Sequence, residues 1–157
     1  LEEFMNIDFI NPFVEASYEI LKEVLQIEIK REDIYLKSRV SNIKGIAALI
    51  GLFGEVEGRL ILDMTPETAI QIASKMIGEN INTVDDMVIN VITEVANMIT
   101  ANAITKLHNR GYDLDLTPPS IIRGNDVEIT DKDLEALVVP LRMQYGLVEI
   151  NVATKEK

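Results

Sequence analysis

Glu94 and Asn97 lie three residues apart in the stretch 83–111 (TVDDMVINVITEVANMITANAITKLHNRG), with Asn90 four places before the glutamate. A carboxylate can pair with a cation or take up a proton. A carboxamide does not titrate, so Asn97 is no general base. Its donor and acceptor together can hold one water molecule in a chosen orientation. At roughly 100° per residue, Asn90, Glu94 and Asn97 fall within about 60° of one another on a helix, and small Ala101 follows. Side chains at this spacing are neighbours and can act on one target. A solvated polar stripe would have the same spacing.

His108, the single histidine, shares this stripe. It lies eleven residues beyond Asn97, roughly 16 Å along a helix axis, too far to meet Glu94 at one reacting atom. It reads as a surface residue compatible with the negative end of the helix dipole. Asp85 and Asp86 read as first-turn charge, and Asp126, Asp131 and Asp133 as turn residues. No Ser-His-Asp arrangement or metal-ligand cluster emerges. With no cysteine there is neither a thiol nucleophile nor a disulfide framework.

One long helix has to carry these groups. Thr83 is the expected N-cap, Gly111 the left-handed stop, and Val88, Val91, Ile92, Val95, Ile99 and Ala103 the stripe facing the core. Before it, Asn11-Pro12 suggests the start of a first helix running to about Leu25, with Phe13, Ala16, Ile20, Leu21, Val24 and Leu25 inward. Thr65-Pro66-Glu67 opens a shorter second helix that ends at Gly78. Alternation across 34–40 suggests an exposed edge strand, and the apolar run 46–53 a central one. Residues 54–58 read as a hairpin turn into a strand at 59–64; no Lys-Ser/Thr follows these glycines, so a phosphate-binding loop is rejected. After the extended Thr117-Pro118-Pro119 come strand-like runs at 126–129, 136–143 and 147–153, with turns at 130–133 and 144–146. Three helices and about six strands, dominated by hairpins, predict an α+β fold: a largely antiparallel sheet with the two long helices packed over it.

The 157 residues suffice for a single domain, 1–157. Met5 is the expected native start, with residues 1–4 appended to it. The opening LEEFMNIDF has no basic region, so no signal peptide is expected, and a cytoplasmic location is the default expectation. The longest apolar run, 46–53, is far short of a membrane span. Net charge is −11, from 26 acidic and 15 basic residues. Nucleic acid and anionic membrane surfaces would be repelled, whereas a partner with a lysine or a basic rim would be attracted.

The chain also echoes itself. Residues 10–20 (INPFVEASYEI) align with 89–99 (INVITEVANMI), so that Asn11 matches Asn90, Glu15 matches Glu94, and Tyr18 stands where Asn97 would be. A weaker echo pairs 58–62 (GRLIL) with 146–150 (GLVEI). A pseudo-two-fold repeat is therefore expected. Tyr18 brings no carboxamide, so the first site is expected to be inactive.

Asn90-x3-Glu94-x2-Asn97 resembles the (Asp or Ser)-x3-Glu-x2-Asn signature of the CheC/CheX/FliY phosphatases of bacterial chemotaxis. Residues 51–62 (GLFGEVEGRLIL), 65–69 (TPETA) and 117–122 (TPPSII) resemble the family too, and the likeness runs from Ile7 to about Val152. A Glu/Asn pair on the second long helix only is similar to CheX rather than CheC. Asn90 departs from the pattern, standing where the family has Asp or Ser. The resemblance implies hydrolysis of the aspartyl-phosphate of a CheY-type response regulator, with Mg²⁺ and an active-site lysine supplied by the regulator. Glu94 would pair with that lysine and Asn97 would position water against phosphorus, as amide side chains do in phosphoryl transfer. Asn90 and Ala101 would support or contact the partner. No cofactor of the protein's own is implied, and a homodimer is. The alternative is a non-catalytic module that binds a response regulator or a flagellar partner.

Overall fold

The computed structural model describes residues 7–37, 40–131 and 136–156. Residues 1–4 and part of the expected turn at 130–133 lie outside them. In chain order the elements are α1 (Ile7–Leu25), β1 (Lys30–Arg31), β2 (Tyr35–Lys37), β3 (Val40–Asn42), β4 (Ile46–Gly54), β5 (Val56–Met64), α2 (Pro66–Ile77), α3 (Asp86–Asn109), β6 (Leu114–Leu116), β7 (Ser120–Arg123), β8 (Glu128–Thr130), β9 (Ala136–Met143) and β10 (Gly146–Glu156). One sheet runs β1-β9-β10-β5-β4-β6, with β2 also beside β9 and β7 also beside β4; β3 and β8 form a separate pair. Every pairing is antiparallel. The α+β architecture with helices laid over an antiparallel sheet is thus as expected.

The period-2 alternation of strands splits the central sheet into two faces. Ile46, Ala48, Ile50, Leu60, Leu62, Val148 and Ile150 point to the helices and join the main core, while Ala47, Ile61 and Ile43 form a small second cluster on the other face. α1 and α3 pack against each other above the inner face. The ring of Phe9 on α1 stands 4.2 Å from that of Tyr112, just after α3. By length and a hydropathy of 1.4, α3 could cross a membrane. Here part of that apolar content, Val88, Ile92, Val95, Ile99 and Leu107 among it, is buried in the core.

Ten strands are described where about six were expected, and the expected edge strand at 34–40 is divided between β2, beside β9, and β3, beside β8. Three further boundaries differ from the sequence reading for physical reasons. α1 begins at Ile7 and carries Pro12 inside it, so Asn11 is not its cap. Phe9 and Ile10 extend the buried stripe of Phe13 one turn upstream, which keeps the chain helical past the proline. The cap of α3 is Asp85, whose Oδ1 accepts from the Val88 amide at 3.0 Å; Thr83 lies two residues too early. The β4–β5 turn is tighter than expected, with Gly54 at φ 113° and the strand resuming at Val56. Gly58 therefore lies within β5, where β10 comes so close that a Cβ would sit 2.0 Å from the Ala153 carbonyl oxygen. α2 starts and stops where expected, with Thr65 accepting from the Thr68 amide and Gly78 left-handed at φ 79°.

Candidate active site

A helix that packs on a sheet buries one stripe and must expose the opposite one. On α3 the exposed stripe holds Asn90, Glu94, Asn97 and Ala101, with buried Val95, Ala96 and Ile99 interleaved. The four predicted residues therefore come together on one rigid surface. Glu94 and Asn97 are one turn apart, and Asn90 is one turn before the glutamate. Their side chains take no hydrogen bond or ion pair from any described residue. Internal polar bonds go to neighbours instead: the hydroxyl of Thr93 donates to the Ile89 carbonyl, and that of Thr100 to the carbonyls of Ala96 and Asn97. This holds the helix backbone and leaves the carboxylate and the carboxamide free to meet something from outside.

The matching stretch of α1 is arranged differently. Glu15 is 3.9 Å from Lys106 and 3.9 Å from Arg110, and Glu19 is 3.2 Å from Lys106. The basic end of α3 thus engages the acids of α1. Tyr18 is half-buried with the Lys22 ammonium 5.6 Å above its ring. A cavity of about 490 Å³ opens beside α1, lined by Glu15, Tyr18, Glu19, Ile29, Lys30 and Arg31. It is not lined by the Glu94–Asn97 pair, whose exposed place on one helix face suits a macromolecular surface rather than an enclosed small molecule. His108 is exposed, with Nε2 3.4 Å from the Leu114 carbonyl.

The outer face of the sheet holds a polar cluster that the sequence reading missed. Glu149 and Asp63 stand directly opposite each other on β10 and β5, and each is only 4 % exposed. Glu149 accepts from the phenol of Tyr35 and from the Lys44 ammonium at 3.3 Å. Asp63 accepts from the Lys44 amide at 2.9 Å. Burial raises the Asp63 carboxyl to about 6, against the pull of Lys44 and with a further push from Glu149. Burial, followed by the bond to Glu149, also holds the Tyr35 phenol well above its ordinary range. Next to them Arg59 donates through Nε to Asp131 at 2.9 Å and through Nη1 to the side-chain oxygen of Asn151 at 2.6 Å. Asp131 is thus a partner of a buried arginine and more than a turn residue. The only sequence trace of this cluster is the alternation of polar residues along β5 and β10; the register that brings them opposite one another is not written in either strand. Among the described residues no group of three potential ligands could hold a metal ion.

The chain's sequence and overall fold also match known proteins. Residues 46–142 match the family model described as chemotaxis phosphatase CheX, which covers more than half of the chain. The CheY-P phosphatase CheX of Thermotoga maritima is 31% identical over 126 residues, spanning 80% of this chain and 81% of the relative. Among solved structures, the CheX of Borrelia burgdorferi, crystallised as a CheX-CheY-BeF3-Mg complex, is 39% identical with a TM-score of 0.85, over 96% of this chain and all of that one. A CheC-like superfamily protein from Shewanella sp. PV-4 superimposes with a TM-score of 0.87 at 28% identity, over 96% of this chain and 99% of that one. The family-model match, the sequence match and the full-length structural match all lead to one assignment: the chain belongs to the chemotaxis phosphatase CheX family.

Proposed function

We propose that the protein is a phosphatase that hydrolyses the aspartyl-phosphate of a CheY-type response regulator. The observation that carries this reading is the pair Glu94 and Asn97, side by side on the exposed face of α3 and without a side-chain partner among the described residues. Asn97 enters the regulator's pocket and holds a water molecule in line with the phosphorus through its donor and acceptor. The water oxygen attacks, the bond from phosphorus to the aspartyl oxygen breaks, and inorganic phosphate leaves a free carboxylate behind. Glu94 pairs with the regulator's active-site lysine and sets the depth and angle of the helix. Asn90 and Ala101 flank the pair; Ala101 lets the partner surface approach closely. The regulator supplies Mg²⁺, and the relative from Borrelia burgdorferi was crystallised with CheY, BeF3 and Mg. Catalysis is then positioning.

The decisive experiment follows phosphate loss from the phosphorylated regulator with wild type, Asn97→Ala and Glu94→Ala. Acceleration by wild type that Asn97→Ala abolishes supports the mechanism. Tight binding without acceleration would replace it with a docking module, with Asn90 as the first residue to revert to Asp or Ser. A cytoplasmic location goes with such a partner. We also propose that the protein is a homodimer joined at sheet edges. In support, Ile34 and Leu36 in and beside β2 are 52 % and 49 % exposed at the free edge next to β9. A light-scattering mass of one chain would overturn it.

A further inference from the structure

Of the described residues, the large hydrophobic side chains left exposed are Ile34, Tyr35 and Leu36 in or beside β2, Phe53 on β4, and Met87. Met87 alone of these is on a helix, and it is 43 % exposed. It precedes Asn90 by three residues and Glu94 by seven, so it adjoins the catalytic stripe at its N-terminal end, about 10 Å along the axis from Glu94. The charge of the same face is one-sided. From Asp86 to Thr105 the helix has no cationic residue, and its acids are Asp86 and Glu94, both exposed. Its cations begin at Lys106, where Lys106 and Arg110 are engaged by Glu15 and Glu19 of α1. Arg123 of β7 donates to the Val84 carbonyl at 3.3 Å just before the helix, so the base-free surface is that of the helix itself. An apolar side chain at the end of a helix face whose own charges are acidic complements a partner that offers an apolar spot near a cation.

We infer that Met87 is a docking residue for the response regulator: it is buried against the regulator surface beside the phosphorylation site and sets affinity, while Asn97 sets the rate of the chemical step. This rests on the function proposed above. Methionine suits the role because its flexible thioether chain fits irregular surfaces and can accept some variation in the partner. Since it touches the regulator away from phosphorus, its contact is the same before and during reaction. Uniform binding of that kind appears in KM and leaves kcat alone.

The test compares wild type, Met87→Ser, Met87→Leu and Asn97→Ala in hydrolysis of the phosphorylated regulator, and titrates each against the beryllofluoride-activated regulator. Met87→Ser is expected to raise both KM and Kd on the order of 5- to 30-fold with kcat within about two-fold, and Met87→Leu to restore affinity. Asn97→Ala should do the reverse, lowering kcat with little change in Kd. Met87→Ser with KM and Kd within about two-fold of wild type, alongside an active wild type, overturns the role of Met87 and leaves the proposed function standing. A wild type that neither binds nor hydrolyses overturns both.

Discussion

Glu15 and Glu94 occupy matching places in two similar helical stretches, yet their surroundings differ. Glu94 faces outward with no described partner, and a carboxamide follows one turn later. Glu15 lies within 4 Å of Lys106 and Arg110, and a tyrosine follows. A glutamate at the matching place is therefore not enough for a site. A carboxylate can dock a partner's lysine only if its own chain has not already supplied the cation, and α3 does supply one to α1. The basic last turn of α3 suits the negative end of its dipole. In binding the acids of α1, it occupies the glutamate of the first stretch and leaves that of the second free.

Substitutions can break or sharpen this contrast. The largest effect is expected from Asn97→Ala, which should lower catalysed phosphate release on the order of 100-fold, toward the regulator's own rate, in a single-turnover assay. Glu94→Ala should cost about 10- to 100-fold in kcat/KM by weakening docking, since a charge pair closed off from water at an interface is costly to truncate. A loss confined to kcat would instead put Glu94 at the chemical step.

The buried carboxylates give a third setting, in which neither a partner nor a surface ion pair is available to an approaching protein. Asp63 titrates near 6 in the folded protein against 3.8 ordinarily. Its raised value means that the protonated form fits the fold better. That stabilisation is complete below about pH 4 and is lost as pH rises through 6. Asp63→Asn cannot ionise, so it should be more stable than wild type above pH 6, on the order of 1–2 kcal/mol, and nearly equal to it below pH 4. Urea titrations at the two pH values measure this, and equal stability at pH 7 would show that Lys44 fully offsets the burial. The smallest effects belong to the first helix. Glu15→Ala should leave phosphatase activity within about two-fold and stability within about 1 kcal/mol, as partly exposed ion pairs contribute little. Tyr18→Asn added to Asn97→Ala should restore no activity. Recovery would show that the ion pairs with Lys106 and Arg110 do not silence that site.

Much of this was legible because it is written in local chemistry. Helical periodicity from Val88 to Ala103 placed Asn90, Glu94, Asn97 and Ala101 on the exposed side of a long helix, and the structure puts them there. Thr65-Pro66 and Gly78 delimited α2 because caps and prolines act within one turn. The start of α1 was misjudged because Asn11-Pro12 looks like a cap, while the burial of Phe9 and Ile10, a tertiary effect, outweighs it. The cap at Thr83 gave way to Asp85 for a related reason: several residues could begin the helix, and the burial of Val88 selects among them.

The sequence by itself determined which residues could do chemistry and which face of α3 would show them, since a helix has one period and a core has one inside. Only the tertiary structure decided whether those residues are available. Lys106 lies 91 positions from Glu15, and Glu149 lies 86 from Asp63, yet each pair meets because helix packing or strand register brings it together. Such long-range pairings cost loop-closure entropy, and no local pattern encodes them. They make Glu15 a structural tie and Asp63 a buried acid, and they leave Glu94 open to a partner.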